Sequence, residues 1–172
     1  MAQQKRLFAG LIAGLIASLG ATAPAAAATT QTAQVSASIV KPLTLTWIQD
    51  LDLGSIVLGP GTWSNATVAI SRTGAFSCTS PNVTCSGVTK AAKYNVTGTN
   101  NQVVRITAPN VTLVNAADPT KTLLLTIDSP GTVALTSSGK PGNDFVLGGS
   151  VTLGSGTAGG TYSGTFNVTV DY

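Results

Sequence analysis

The clearest pattern in the chain is an alternation at 161–172. Tyr162, Gly164, Phe166, Val168, Val170 and Tyr172 interleave with Thr161, Ser163, Thr165, Asn167, Thr169 and Asp171. Successive side chains of a β-strand point to opposite faces, so this run reads as one strand with an apolar side and a polar side. A helix cannot sort a period of two onto one face. At about 3.3 Å per residue the strand would span roughly 35–40 Å.

The rest of the chain agrees with strands. It has 172 residues, only 9% of them charged, with six acidic residues that are all Asp and no Glu. Thr, Val, Ser, Gly and Asn dominate, a composition that disfavours helices and suits strands and turns. Short apolar-alternating runs recur at Ala33–Val40, Leu43–Trp47, Leu51–Val57, Ala66–Ser71, Lys93–Thr97, Val103–Thr107, Val111–Val114, Thr122–Ile127, Thr132–Leu135 and Phe145–Leu153. Between them stand turn markers such as Gly59-Pro60-Gly61, Ala108-Pro109-Asn110 and Ser129-Pro130-Gly131. The expected fold class is all-β, an immunoglobulin-like antiparallel sandwich of about seven to nine strands.

The beginning of the chain has a different grammar. Lys5 and Arg6 precede an apolar stretch from Leu7 to Leu19, and small residues with Ala-x-Ala spacing follow from Ala21 to Ala28. This is the pattern of a secretory signal peptide cleaved near Ala28. Thirteen apolar residues with two glycines fall short of the ~20 that span a bilayer. The expected organisation is a signal peptide at 1–28 and a single domain at 29–172, with no membrane span in the mature chain. Export implies the periplasm, then the cell surface or the medium.

Cleavage also changes the electrostatics. Lys5 and Arg6 leave, so seven of the nine basic residues remain against six Asp. The remainder are scattered singly, without the basic patch a nucleic-acid binder shows. No nucleic-acid partner is expected.

Enzymatic chemistry lacks its reagents. There is no His to serve as a base or a ligand, and no Glu pair to cleave a glycoside. We expect no enzyme, no catalytic residue, no cofactor and no metal. Asp50 and Asp52 would face one side of a strand, but no Asp-rich loop completes a calcium set, and a solvated turn is the simpler reading. Gly148-Gly149 and Gly154-Ser155-Gly156 lack the Lys and the helix of a phosphate loop and read as turn or bulge glycines. Trp47 and Trp63 read as core anchors before sugar platforms. Cys78 and Cys85 are the only cysteines, and in an exported chain they most economically form one disulfide.

One further stretch alternates faintly. Ala33, Val35, Ala37 and Ile39 share one face, and Gln34, Ser36 and Ser38 the other, until Lys41-Pro42 interrupts. It could be a first strand of the sandwich, or an arm (29–40) that completes another subunit's sheet.

Two segments carry a family likeness. Pro42-Leu43-Thr44-Leu45-Thr46 with Asp50-Leu51-Asp52-Leu53-Gly54-Ser55-Ile56, and the ending from Ala158 to Tyr172, resemble small secreted bacterial β-proteins of unknown function. The ending is also similar to the last strand of spore-coat-U-like proteins and of chaperone–usher pilus subunits. Pilus subunits carry a Gly fourteen residues from the end and an aromatic next to last. Here Gly159 holds the fourteenth position and Tyr172 the last. The resemblance implies an immunoglobulin-like sandwich lacking its last strand, with the gap filled by the N-terminal arm of a neighbour. It makes Tyr162, Gly164, Phe166, Val168, Val170 and Tyr172 the candidate groove strand, and Ala33, Val35, Ala37 and Ile39 the candidate donor arm. The expected function is a structural subunit of a fimbria-like surface fibre. Its expected partners are copies of itself or related subunits, a periplasmic chaperone and an outer-membrane usher. The alternative is a self-complete secreted binding module for carbohydrate or matrix, using an exposed aromatic such as Trp63.

Overall fold

The structure is a computed structural model and describes residues 28–172. The expected signal peptide therefore lies outside the described residues, apart from Ala28. The Thr- and Val-rich runs satisfy their backbone groups in thirteen strands. They are β1 (Thr44–Gln49), β2 (Ser55–Leu58), β3 (Ala66–Ile70), β4 (Phe76–Ser77), β5 (Val83–Ser86), β6 (Ala92–Thr97), β7 (Val103–Thr107), β8 (Val111–Asn115), β9 (Thr122–Asp128), β10 (Thr132–Ala134), β11 (Asn143–Leu153), β12 (Tyr162–Ser163) and β13 (Thr169–Asp171). Every pairing is antiparallel. The fold is an all-β, immunoglobulin-like sandwich.

The large sheet runs in the order β1-β6-β11-β9-β8-β12, with β3 also on β11 and β4 on β3. A three-stranded sheet, β10-β7-β13, and a two-stranded one, β2-β5, complete the set. Strand β11 is the hub. Its residues Asn143–Leu147 pair with β6, and Gly149–Leu153 pair with β3. Gly148 marks the change of neighbour, where a Cβ would lie 2.4 Å from the Ile70 carbonyl oxygen. Gly148 and Gly149, expected as turn or bulge glycines, are mid-strand residues of β11 at a close backbone approach. Gly154-Ser155-Gly156 does lie in the turn that follows.

Thirteen segments exceed the expected seven to nine because long runs break where they pass from one sheet to another. The run from β7 to β8 is interrupted at Ala108-Pro109-Asn110, and β7 and β8 belong to different sheets. Pro109 has no N–H to give a ladder. The 161–172 segment runs antiparallel to this run and breaks in the same place. Tyr162 pairs with Asn115 and Val170 with Ile106, with a one-residue slip between the two ladders. The single strand expected over 161–172 is thus β12 and β13, with 164–168 carrying no strand between them. Its alternation survives in burial: Phe166, Val168 and Val170 are half-buried against the core, while Asn167, Thr169 and Asp171 are exposed. Ala33–Val40, expected as a strand, carries none, because it has no ladder partner.

Two apolar clusters hold the sheets together. In one, Val104 and Ile106 of β7 pack with Val96, Phe145 and Leu147 of the large sheet. In the other, Val83 of β5 packs with Val68, Leu125, Val151 and Leu153. Leu51 and Ile127 touch both. A leucine cut to alanine in such a core costs about 2–5 kcal/mol, so the buried Leu147 is a strong determinant of the fold.

Candidate functional site

The second layer of the sandwich has a gap. A cavity of about 930 Å³ opens between the chain at 50–58 and the chain at 157–166. Its floor is the large sheet, through Ala92 and Tyr94 of β6, Val151 and Leu153 of β11, Leu123 and Leu125 of β9 and Leu113 of β8. One wall carries Leu51, Leu53, Ile56 and Leu58, and the other Tyr162 and Phe166. The first wall includes β2 of the two-stranded sheet, and Trp47 of edge strand β1 and Tyr162 of edge strand β12 line the same cavity. Each edge strand has a ladder on one side only among the described residues.

Both walls are fixed by local chemistry. In the 50–58 wall, Asp52 exchanges backbone hydrogen bonds with Lys90 at 2.7 and 2.8 Å. Its carboxylate accepts from Gly54 N–H at 2.8 Å, across a turn that needs the positive φ of Gly54. Asp50 accepts from the Trp47 indole N–H at 3.0 Å. The two carboxylates thus shape turns, and no group of three potential metal ligands occurs among the described residues. Strand β2 then pairs with β5, where Ile56 stands opposite Cys85. Cys78 and Cys85 are joined by a disulfide, with Cα atoms 6.3 Å apart. The staple braces the strand that braces the wall.

The opposite wall hangs on Asn115, a side chain only 1% exposed. Its Nδ2 donates to the Gly159 carbonyl at 3.0 Å, and its Oδ1 accepts from Ala117 N–H at 2.9 Å. Gly160 lies against it at φ +141°, and a Cβ there would fall 2.4 Å from Asn115 Nδ2. The conformational need for glycine is therefore at Gly160; a Cβ on Gly159 meets nothing within 4 Å. The Tyr162 hydroxyl donates to the Ala158 carbonyl at 2.8 Å and closes the corner.

The groove has a mainly apolar floor, with Ser and Thr along its walls and Asp50 and Asp52 at its rim. Burial, and then the charge of Asp50, push the Tyr94 phenol above its ordinary value, so it stays neutral at the groove floor. The Trp residues divide differently from expectation. Trp63 is half-buried, packs in a core cluster and donates to the Gly59 carbonyl at 3.1 Å. Trp47 is 57% exposed at the groove mouth, so it is not a core anchor.

Of the candidate groove strand, Tyr162, Gly164 and Phe166 line the cavity. Val168 and Val170 turn to the core beside β7, and Tyr172 lies beyond them, bonded to Lys41 and Thr99. Of the candidate arm, Ala33, Val35, Ala37 and Ile39 are all exposed, Val35 by 94% and Ile39 by 90%.

A family model extends over both walls, the floor and the core. The chain belongs to the family described as Domain of unknown function (DUF4402), matched over residues 43–172. The match to DUF4402 takes in the whole groove and begins just after the candidate arm. No curated protein and no solved structure matches the chain.

Asn115, Gly160 and the leucines of the groove floor were not singled out from sequence. Asn115 was open to discovery, since it ends the otherwise apolar-alternating run Val111–Asn115 at a position where the side chain turns inward. Nothing local distinguishes Gly160 from Gly159.

Proposed function

We propose that this protein is a structural subunit of an extracellular fimbria-like fibre, in which residues 29–40 of one copy fill the groove of the next. The observation that carries the reading is the cavity itself, which has an apolar floor and reaches Trp47 and Tyr162 of the two singly paired edge strands. Such edges invite another strand unless something covers them. An added strand supplies backbone partners and side chains together. The Ala33–Ile39 alternation is seven residues, about 23 Å when extended, comparable to the nine-residue wall at 50–58. The alternating segment Ala33–Ile39 has no charged side chain, so its entry into the groove desolvates none. Arm and groove differ in place, so the contact is head-to-tail and open filaments follow.

The signal-peptide pattern supports export, and the likeness of the 158–172 ending to pilus and spore-coat-U-like proteins supports surface assembly. A periplasmic chaperone and an outer-membrane usher are the partners this route would use. The test is electron microscopy of the purified exported protein, with and without residues 29–40. Filaments lost on deletion are expected. Monodisperse monomers that are identical with and without the segment would remove the reading.

A second reading has its own observation. Trp47, exposed and held by Asp50 at the groove mouth, is the kind of aromatic face on which a sugar stacks. As a self-complete binding module the protein would be retained on a polysaccharide column through Trp47, not through the half-buried Trp63. Loss of retention on Trp47→Ala, in a protein that forms no filaments, would favour this reading.

A further inference from the structure

Lys41, at the foot of the arm, is held at both of its backbone groups. Its N–H donates to Thr99 Oγ1 at 2.6 Å, and its carbonyl accepts from the Tyr172 hydroxyl. The same hydroxyl accepts from Thr99 N–H at 2.8 Å. Thr99 follows β6 and Tyr172 follows β13, so three parts of the chain meet at one phenol oxygen. Gly98 makes the room. A Cβ there would lie 2.7 Å from that oxygen, 2.7 Å from Leu43 Cδ2 and 2.9 Å from Leu135 Cδ1. Immediately before the clasp, Ser38, Ile39 and Val40 are exposed. Immediately after it stands Pro42, and then β1.

We infer that the Tyr172–Lys41–Thr99 clasp, with Pro42, makes complementation intermolecular, by preventing the arm from folding back beside β1 of its own subunit. This rests on the strand-complementation reading above and says which copy the arm can serve. To lie antiparallel on the free edge of β1, the chain must reverse within Val40–Leu43, with Lys41 and Pro42 as the central turn residues. A type I′ hairpin turn needs positive φ at both central positions, and the proline ring locks φ near −65°. A type II′ turn would put Lys41 at positive φ, where a non-glycine residue is disfavoured. A longer loop would consume Ile39 and Val40, the most apolar end of the arm. Each short return to its own β1 edge therefore meets a backbone restriction at Lys41 or Pro42. A neighbour's groove has no such restriction.

The experiment compares the exported protein with a Lys41→Asn/Pro42→Gly/Tyr172→Phe variant, which removes the Tyr172 bonds of the clasp and places an Asn-Gly turn at the foot of the arm. Assembly is read by sedimentation, and the state of the arm by amide hydrogen exchange over residues 33–39. The expected result is at least a tenfold fall in the sedimenting fraction, with folded monomers whose arm amides become protected and which no longer bind a synthetic 29–40 peptide. Assembly at the wild-type level, or protected arm amides already present in wild-type monomers, would overturn the inference. Wild-type protein that neither assembles nor binds the peptide would instead remove the complementation reading beneath it. If the triple variant does not fold, Pro42→Gly/Tyr172→Phe is the second measure, with an expected threefold fall. Unchanged assembly in that variant overturns the role of the clasp.

Discussion

The proposed assembly stands or falls on which face of the arm is buried, and Ile39→Ala against Ser38→Ala separates the faces. Ile39 is 90% exposed, so nearly its whole side chain is available for burial in a neighbour's groove. Fully burying an isoleucine is worth about 1.5–3 kcal/mol. Truncation to alanine leaves one methyl group, so the loss is about 2 kcal/mol, or roughly 30-fold in affinity. Val35→Ala removes less, about 1.5 kcal/mol and roughly tenfold. The two sites lie about 13 Å apart in an extended strand, so the double variant should be near the product, about 300-fold. None of these substitutions touches a backbone hydrogen bond, which isolates the side-chain contribution. The assay is the critical concentration for fibre growth, measured by sedimentation at fixed ionic strength. Ser38→Ala, on the polar face, should change it by less than about twofold, because its side chain gains no apolar burial. Equal effects of Ser38→Ala and Ile39→Ala would refute the two-faced arm, and no effect of either would refute burial of this segment.

The remaining predictions concern the walls and the pH response. Replacing both Cys78 and Cys85 by Ser should lower unfolding free energy by about 2.5 kcal/mol, the loop-closure value for eight residues, measured by denaturant titration; an unchanged midpoint would show that the staple does not restrain the unfolded chain. Gly160→Ala should cost about 2–4 kcal/mol in the same titration, since a Cβ would lie 2.4 Å from the buried Asn115 amide at φ +141°; Gly159→Ala, with open space around it, should cost under about 1 kcal/mol. With no His and both cysteines joined, stability should be flat across neutral pH. The Asn95 amide, and then Lys93, hold the Asp144 carboxyl below the usual carboxylate range, so its contribution is present above that range and is lost as pH falls through the depressed value. Tyr94 is raised, so its contribution is present below the ordinary tyrosine range and is lost as pH rises through its elevated value. A thermal melt series that dips near neutrality would contradict both assignments.

Strand identity was largely legible because it depends on local alternation. Val103–Thr107 was read with its observed bounds, and β3, β6, β8, β9, β10 and β11 were read within two residues at each end. The short strands β4 and β5 were not read, since Phe76–Ser77 and Val83–Ser86 flank a disulfide loop and show no period of their own. The break in 161–172 was not legible either. It is imposed by Pro109 on the opposing strand, and a one-dimensional pattern does not say which strand opposes which. The cavity floor was not legible, because Leu113, Leu123 and Leu125 converge only through the order β11-β9-β8. Trp47 shows the same limit. Its exposure follows from its place at the mouth of a gap, and the gap is a property of the sheet, not of the β1 sequence.

An incomplete sheet normally invites indiscriminate pairing, and edge strands are usually blunted by charge, proline or a covering loop. Here the rim carries Asp50 and Asp52, but both carboxylates accept local hydrogen bonds, and the floor between the walls is leucine and valine. The device that remains is proline. Pro42 bars the shortest cis closure, and Pro109 interrupts the ladder that would otherwise zip the 161–172 segment along its full length. On the proposed reading the first would keep the arm available, while 164–168 at the groove wall carry no strand. On that reading the two prolines act on opposite sides of one contact, one on the donor and one on the acceptor. On the assembly reading, an ideal sandwich with both prolines replaced would be a better monomer and a worse subunit.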